Sequence, residues 1–414
     1  MKRRYFPVVA LWALAAAAAG QTLYMGAWPP GYEFDRTPIA PDGVQTFVDL
    51  YSPATATGSI GTADFMWSAV PCPAAAKLKV FRRRGETLVF IAERGPFDPV
   101  SNDYQNLTRV TFDPPVDVQQ GDLIGLSRVS ECGGPLIAPR LSAGGPHTPL
   151  PTEGLARFEG DLTSDVPFSS GRIEALDQVL MVYAEGTATE RVASVLAVAG
   201  STPGAFDSYF RTGIQLSNPS PLPFSGRLVF HAAGTSSPDD SSLPFTVEPV
   251  STFSTDDVVA AMGRTGIGTL DIVGPAGSYL GIVTARVYQD AGAQGTAGFT
   301  EPSIDPYFAP SIGSTAYLVA PSDLTHFRYN IGVRALFKAP TLTFRVLGAG
   351  GTLVREVTKS YPPGFFLQQP AEALFGGPIP PNALITIHVT AGTAIVYGAT
   401  VDNITNDPSI QFAN

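Results

Sequence analysis

The side chains able to do acid–base or metal chemistry are few and scattered. Four histidines, His147, His231, His326 and His388, are spread over 414 residues. None belongs to an HExxH or HxH arrangement, which would bring two imidazoles onto one zinc ion. No GxSxG elbow is present, and no GxGxxG or GxxxxGK[ST] loop that would cradle phosphate. Two carboxylate pairs remain, Asp98 with Asp103 and Glu86 with Glu93. Two such groups flanking a glycosidic bond suffice for its hydrolysis. In an acidic chain, however, turns and strand edges are where solvated carboxylates are expected, so a hydrolase with its site in the N-terminal domain is the alternative reading.

Oxygen-rich loops make calcium the best-matched metal. Asp98 and Asp103 close one loop, and Asp402, Asn403 and Asp407 crowd another. Such loops suit a flexible cage of oxygens but lack the EF-hand pattern, and Asp and Asn also favour turns for their own hydrogen bonds. Tyr24, Trp28 and Tyr32 cluster with Phe34 around Pro29-Pro30-Gly31. They are candidates for stacking on sugar rings or gripping a protein partner; the competing role is to pin a first strand to its sheet.

Charge narrows the partners. The chain has 26 Lys+Arg and 36 Asp+Glu. Residues 1–20 read as a signal peptide, with Lys2, Arg3 and Arg4 before an apolar run and Ala17-Ala18-Ala19 at the cleavage site. Removing those three cations gives 23 − 36 = −13. An acidic mature chain with no basic cluster argues against nucleic acid, and no later stretch is long enough to span a membrane. The one basic run, Arg82-Arg83-Arg84, precedes Gly85 and reads as a solvated hairpin tip. Export, to the periplasm, cell surface or medium, suits a disulfide between Cys72 and Cys132. Closing that loop would stabilise the fold by ~4 kcal/mol in the chain-entropy model.

The elements that must position these residues are short strands. Residues 21–190 carry eight candidates: 46–51, 64–70, 77–82, 87–93, 107–112, 122–129, 154–159 and 178–184. Leu78 and Val80 alternate with Lys77 and Lys79, as expected of a sheet with one solvated face. The Gly/Pro/Ser-rich stretches 133–153 and 161–172 read as surface loops, and the domain ends near Thr187–Arg191. The segment 116–129 (VDVQQGDLIGLSRV) resembles a Gly-Asp strand opening of secreted jelly-roll and carbohydrate-binding modules, in which Asp122 would bond the turn amides.

Residues 192–414 repeat themselves. Phe210-Arg211 matches Phe327-Arg328, Ile214 and Leu216 match Ile331 and Val333, and Arg227–Phe230 matches Thr343–Val346. Pro249, Phe253 and Gly263 match Pro362, Phe366 and Gly376; Leu270 and Ile272 match Ile385 and Ile387; Ile282 and Ala285 match Val396 and Ala399. A short helical turn is expected in each copy, at 256–263 capped by Asp256 and at 370–376 with Pro370 at its first position. Arg211 and Arg328 read as structural, holding loop carbonyls or packing on an aromatic ring. With the ending Val401-Asp402-Asn403-Ile404-Thr405-Asn406-Asp407-Pro408, this half resembles a tandem β-sandwich repeat domain of uncharacterised secreted bacterial proteins. That resemblance implies an architecture and no activity.

The expected molecule is therefore all-β: a signal peptide (1–20), a jelly-roll-like sandwich (21–190) and two immunoglobulin-like sandwiches (191–305 and 306–414). Its expected role is non-catalytic: adhesion, envelope association, or binding of a cell-surface glycan or protein.

Overall fold

A computed structural model describes residues 22–26, 37–38, 43–100, 107–139, 154–174, 178–205, 207–236, 240–276, 281–290 and 295–414. The signal segment, His147, Trp28, Tyr32, Phe34 and Asp103 lie outside them. The described chain is an all-β protein built from antiparallel sheets. None of its helices is long and apolar enough to cross a membrane.

The N-terminal part contains β1 (Thr22–Gly26), β2 (Thr37–Pro38), β3 (Gln45–Asp49), β4 (Thr57–Phe65), β5 (Ala76–Arg84), β6 (Thr87–Phe97) and β7 (Thr108–Val118). It continues with β8 (Leu123–Arg128), β9 (Leu136–Pro139), β10 (Leu155–Glu159), β11 (Val166–Pro167), β12 (Arg172–Glu174) and β13 (Gln178–Leu180). One sheet runs β11-β6-β5-β8-β3-β10-β12. It faces a second layer in which β4 pairs with β7 and with β14 (Val182–Pro203). Between the layers lies a core containing Leu23, Phe47, Ile60, Trp67, Leu78, Val80 and Leu126. Cys72 and Cys132 are bonded, with Cα atoms 5.5 Å apart, and Trp67 Nε1 donates to the Cys132 carbonyl at 2.9 Å.

Three expectations for this part are corrected. Lys79 does not face solvent; it is fully buried, its ammonium held by Glu93 at 2.5 Å and Asp161 at 2.6 Å. The reason is that 161–172 is not a bare surface loop. Its Leu162, Val166 and Phe168 close a second core with Phe81, Leu88 and Phe158 over the outer face of the sheet. The strand expected at 64–70 instead occupies Thr57–Phe65.

Nor does the chain break at residues 187–191. Strand β14 runs through without interruption for 22 residues. Up to Glu190 it pairs with β4, and from Glu190 to Ser201 with β19 (Gly266–Pro275). Glycines permit the tight approach: a Cβ on Gly186 would sit 1.9 Å from the Ser59 carbonyl oxygen. At the bulge beyond Glu190, the amide of Val192 donates to the Gln120 side chain at 2.9 Å, so the irregular backbone stays satisfied.

The rest of the chain forms two sandwiches. The first uses β14, β15 (Tyr209–Asn218), β16 (Phe224–Ala232), β17 (Ser241–Val247), β18 (Ser251–Thr255), α1 (Val258–Ala261), β19, β20 (Ile282–Asp290) and β21 (Thr296–Glu301). The second uses β22 (Thr315–Val319), β23 (Phe327–Ala335), β24 (Thr341–Leu347), β25 (Leu353–Ser360), β26 (Phe366–Pro370), α2 (Ala371–Phe375), β27 (Leu384–Ala391), β28 (Ala394–Asp402) and β29 (Pro408–Phe412). Pairing runs β17-β16-β19-β14 and β18-β15-β20-β21 in the first, and β25-β24-β27-β22 and β26-β23-β28-β29 in the second. The strand order is the same.

Both helical turns occur where expected and carry the chain from one sheet to the other. Their caps differ from expectation. Asp257, not Asp256, accepts from the Ala260 amide at 3.0 Å, and Pro370 is the N-cap of α2 rather than its first residue. Gly376 ends α2 at φ 68°, a backbone conformation glycine adopts without penalty. The last-strand match also shifts by one: Val283 opposes Leu216 as Val396 opposes Val333, leaving Ile282 54% exposed. A separate apolar cluster, including Val195, Ala197, Leu336, Phe366, Ile395 and Tyr397, joins the two sandwiches.

Candidate functional site

The three units meet around a cavity of about 440 Å³. The N-terminal part supplies Arg82, Arg83, Arg84 and Asp122. The first sandwich supplies Glu190, Arg191, Arg227, His231, Asp240 and Asp271, and the second Arg334 and Lys338. Among the described lining residues seven Arg and Lys side chains meet four carboxylates, 7 − 4 = +3 before His231 is counted, within a chain of formal charge −10. Leu50, Val192, Val229, Leu336, Phe337 and Pro363 add apolar wall.

The cations arrive on rigid strands. Arg82, Arg83 and Arg84 end β5, before the turn at Gly85, whose φ of 56° suits glycine. The run is thus a hairpin tip, as expected, but not a solvated one. Arg82 donates to both oxygens of the buried Asp122, at 2.7 and 2.8 Å. Arg83 lies 3.9 Å over the Phe168 ring, and only Arg84 is exposed. Asp122 also accepts from the Gln119 amide at 2.7 Å, the turn bond anticipated for it. Its burial nevertheless raises its pKa, with Arg82 opposing that shift. Arg227 pairs with Glu190 at 3.1 Å, while Lys338 lies 4.4 Å over Tyr51.

Deepest in the wall is a four-residue ion cluster. From β23, Arg334 Nη2 reaches across to both oxygens of Asp271 on β19, at 3.0 and 2.8 Å. Arg334 is 2% exposed and Asp271 4%. His231 on β16 donates or accepts at both ring nitrogens: Nε2 meets Asp271 at 2.8 Å and Nδ1 meets Asp240. Burial works against the Asp271 charge, but Arg334 and then His231 outweigh it and hold its pKa at about 2. Burial and the Arg334 charge disfavour imidazolium, yet Asp271 and Asp240 overcome both, so the His231 pKa is raised. With His231 protonated the cluster has two charges of each sign, which is what a buried site requires.

The residues singled out from sequence fare differently. Asp98 Oδ1 accepts from the Ala74 amide at 2.7 Å, and Glu93 is held by Lys77 and Lys79. Asp402 Oδ1 caps the amides of Ile404 and Thr405, both at 2.7 Å, and its Oδ2 meets His326 at 2.9 Å. Asn403 and Asn406 accept from Arg328, at 3.0 and 2.9 Å, and the Asp407 carbonyl accepts from the Asp402 amide. Among the described residues no group of three or more His, Cys, Asp or Glu side chains is disposed to hold a metal. Tyr24 stands 41% exposed on β1, its ring 5.7 Å from that of Tyr183. Arg328 therefore ties down the 402–407 turn and Arg211 lies 5.5 Å from the Tyr209 ring, both contacts of the structural kind foreseen for them.

The cavity itself was hidden from sequence reading because its walls come from three distant segments. Signals existed nonetheless. Asp271 interrupts the apolar run Leu270 to Val273, and Arg334 stands among Ile331, Val333, Leu336 and Phe337. A charge within such a run must find a partner. Compared with known proteins, the chain matches no family model, no curated protein and no solved structure.

Proposed function

We propose that this is an exported, non-catalytic binding protein. On this reading an N-terminal jelly-roll-like sandwich is followed by two immunoglobulin-like sandwiches descended from a tandem duplication. It serves adhesion, envelope association, or capture of a cell-surface glycan or protein. The observation that carries the reading is the occupancy of His231. Both of its ring nitrogens are engaged by carboxylates, so it offers no free lone pair to take a proton from a substrate. Arg82, Arg227 and Arg334 are likewise committed to carboxylates. A preformed, partly apolar cleft with fixed charges suits recognition of a ligand.

The test exposes the mature chain to immobilised cell-envelope polysaccharides and surface proteins, and assays the same polysaccharides for released reducing ends. Retention without release is expected. Release that disappears on changing Asp98 or Asp103 to Asn would establish the hydrolase instead. The same preparation tests calcium: an unchanged melting temperature on adding EDTA would remove it as a partner of the 98–103 and 402–407 loops.

A further inference from the structure

Resting on that binding role, we infer that the cleft between the three units is an anion site for a ligand of small-molecule size. Its ligand carries at least one carboxylate, phosphate or sulfate beside a less polar face.

The arrangement of charge favours it. Arg82 is paired with Asp122, Arg227 with Glu190 and Arg334 with Asp271, and Arg83 and Lys338 have partners as well. Asp240 is matched by His231. Arg84 and Arg191 have no side-chain hydrogen bond or ion pair among the described residues, and Arg191 Nε is buried without a partner. A buried guanidinium N–H left unmet is costly, and an oxyanion is the acceptor that would relieve it. The Arg191 backbone is fixed in β14 opposite Gly274. It stands at the point where that strand passes from the first unit to the second. Arg84, on the hairpin end, can close on the same ligand from the other side.

Size and lining fit too. A volume of about 440 Å³ is within the range of pockets that bury a compact organic ligand. Leu336, Phe337 and Pro363 would face its apolar side. The same chemistry is offered by a free organic or inorganic anion and by the end of an acidic polysaccharide.

Isothermal titration of the mature protein would use inorganic phosphate, galacturonate, trigalacturonate and, as a neutral control, maltotriose, each at low and raised salt. Saturable anion binding that weakens with salt is expected. Arg84→Gln and Arg191→Gln should each weaken it roughly tenfold, the loss of one charge-assisted contact. Arg345→Gln, which removes a surface pair with Glu356, should leave it unchanged. Arg84 is exposed and makes no described side-chain hydrogen bond or ion pair, so that variant keeps the test valid should Arg191→Gln fold poorly. Binding of trigalacturonate alone would assign the anion to a sugar chain; binding of phosphate as well would assign it to any small oxyanion. Absence of anion binding, or binding indifferent to both substitutions, would overturn the inference. Maltotriose binding indifferent to the arginines would overturn it too, while leaving the protein a binder. Cleavage of trigalacturonate in an arginine-dependent manner would sustain the anion site and overturn the non-catalytic role.

Discussion

The two C-terminal sandwiches have the same strand order, yet they treat equivalent positions differently. Glu301 on β21 opposes Ala285, and Gln411 on β29 opposes Gly398, the same place in each strand ladder. Each side chain accepts from an amide of its sandwich's first strand: Glu301 from Val198 at 3.0 Å, Gln411 from Val319 at 3.1 Å. In the second sandwich the acceptor is a neutral amide in contact with water. In the first it is a carboxyl that is 1% exposed and has one oxygen unpartnered. The ion cluster is equally one-sided. By register, Asp271 corresponds to Thr386, His231 to Leu347 and Arg334 to Ser217. Each charged member has an uncharged counterpart. The two sandwiches thus share a strand order, and different residues at single positions make two of their faces complementary halves of one joint.

Exchanging residues between the sandwiches tests that view directly. The largest effect should come from Arg334→Ser, which gives the second sandwich the residue of the first and leaves the buried Asp271 with only His231 beside it. A loss of about 3–5 kcal/mol is expected in denaturant titration. Adding Asp271→Thr, the counterpart residue, should recover at least about 1 kcal/mol. Strict additivity of the two changes would mean that the pair is not the joint.

Next is Glu301→Gln. Burial raises the Glu301 pKa to about 8, although the amides of Val198 and Ala197 oppose it. The folded state therefore holds a proton that the unfolded state releases near its ordinary value of 4.5. Its contribution to stability is complete below pH 4.5 and is lost as pH rises toward 8. The variant should match the parent's stability at pH 4.5 and exceed it at pH 8 by roughly 1–3 kcal/mol in denaturant titration. A pH-independent difference would show that the carboxyl is ionised throughout.

His231→Leu should show the same direction of pH dependence, starting from a deficit. A raised imidazole pKa stabilises the fold below the unfolded value of 6.5, and that contribution disappears as pH climbs through the folded value. The variant should be weakest relative to the parent at pH 5, by about 1–2 kcal/mol, with the deficit shrinking in alkali. A deficit that grows with pH would contradict the protonated cluster. Smallest is Arg328→Gln, which frees the 402–407 turn for about 1 kcal/mol. The matching Arg211→Gln should leave that turn untouched, as hydrogen exchange at Ile404 and Thr405 would report.

Much of this architecture was legible because it is written in periodicity. Alternating residues located most strands, and the echo of Phe210-Arg211 in Phe327-Arg328 lined up the two sandwiches to within a residue or two. Local chemistry was legible as well, as with Asp122 and its turn amide or the pairing of Cys72 with Cys132. What escaped was whatever depends on burial from a distance. Lys79 read as solvated because the segment that covers it lies some eighty residues later. Arg82-Arg83-Arg84 read as a free tip because Asp122 and the sandwiches that enclose it cannot be inferred from a basic run. The joint between Asp271 and Arg334 spans two units, and no local pattern announces such a meeting.

One feature of the backbone has a mechanical consequence. Because β14 is hydrogen-bonded to the N-terminal part and to the first sandwich along a single strand, bending between them is resisted by a ladder on each side. Any swivel at Glu190 would have to shear ladder bonds on both sides. A pull applied at one unit is therefore carried into the other as tension along one stiff rod, and a ligand seated beside Arg191 would brace that rod at its midpoint.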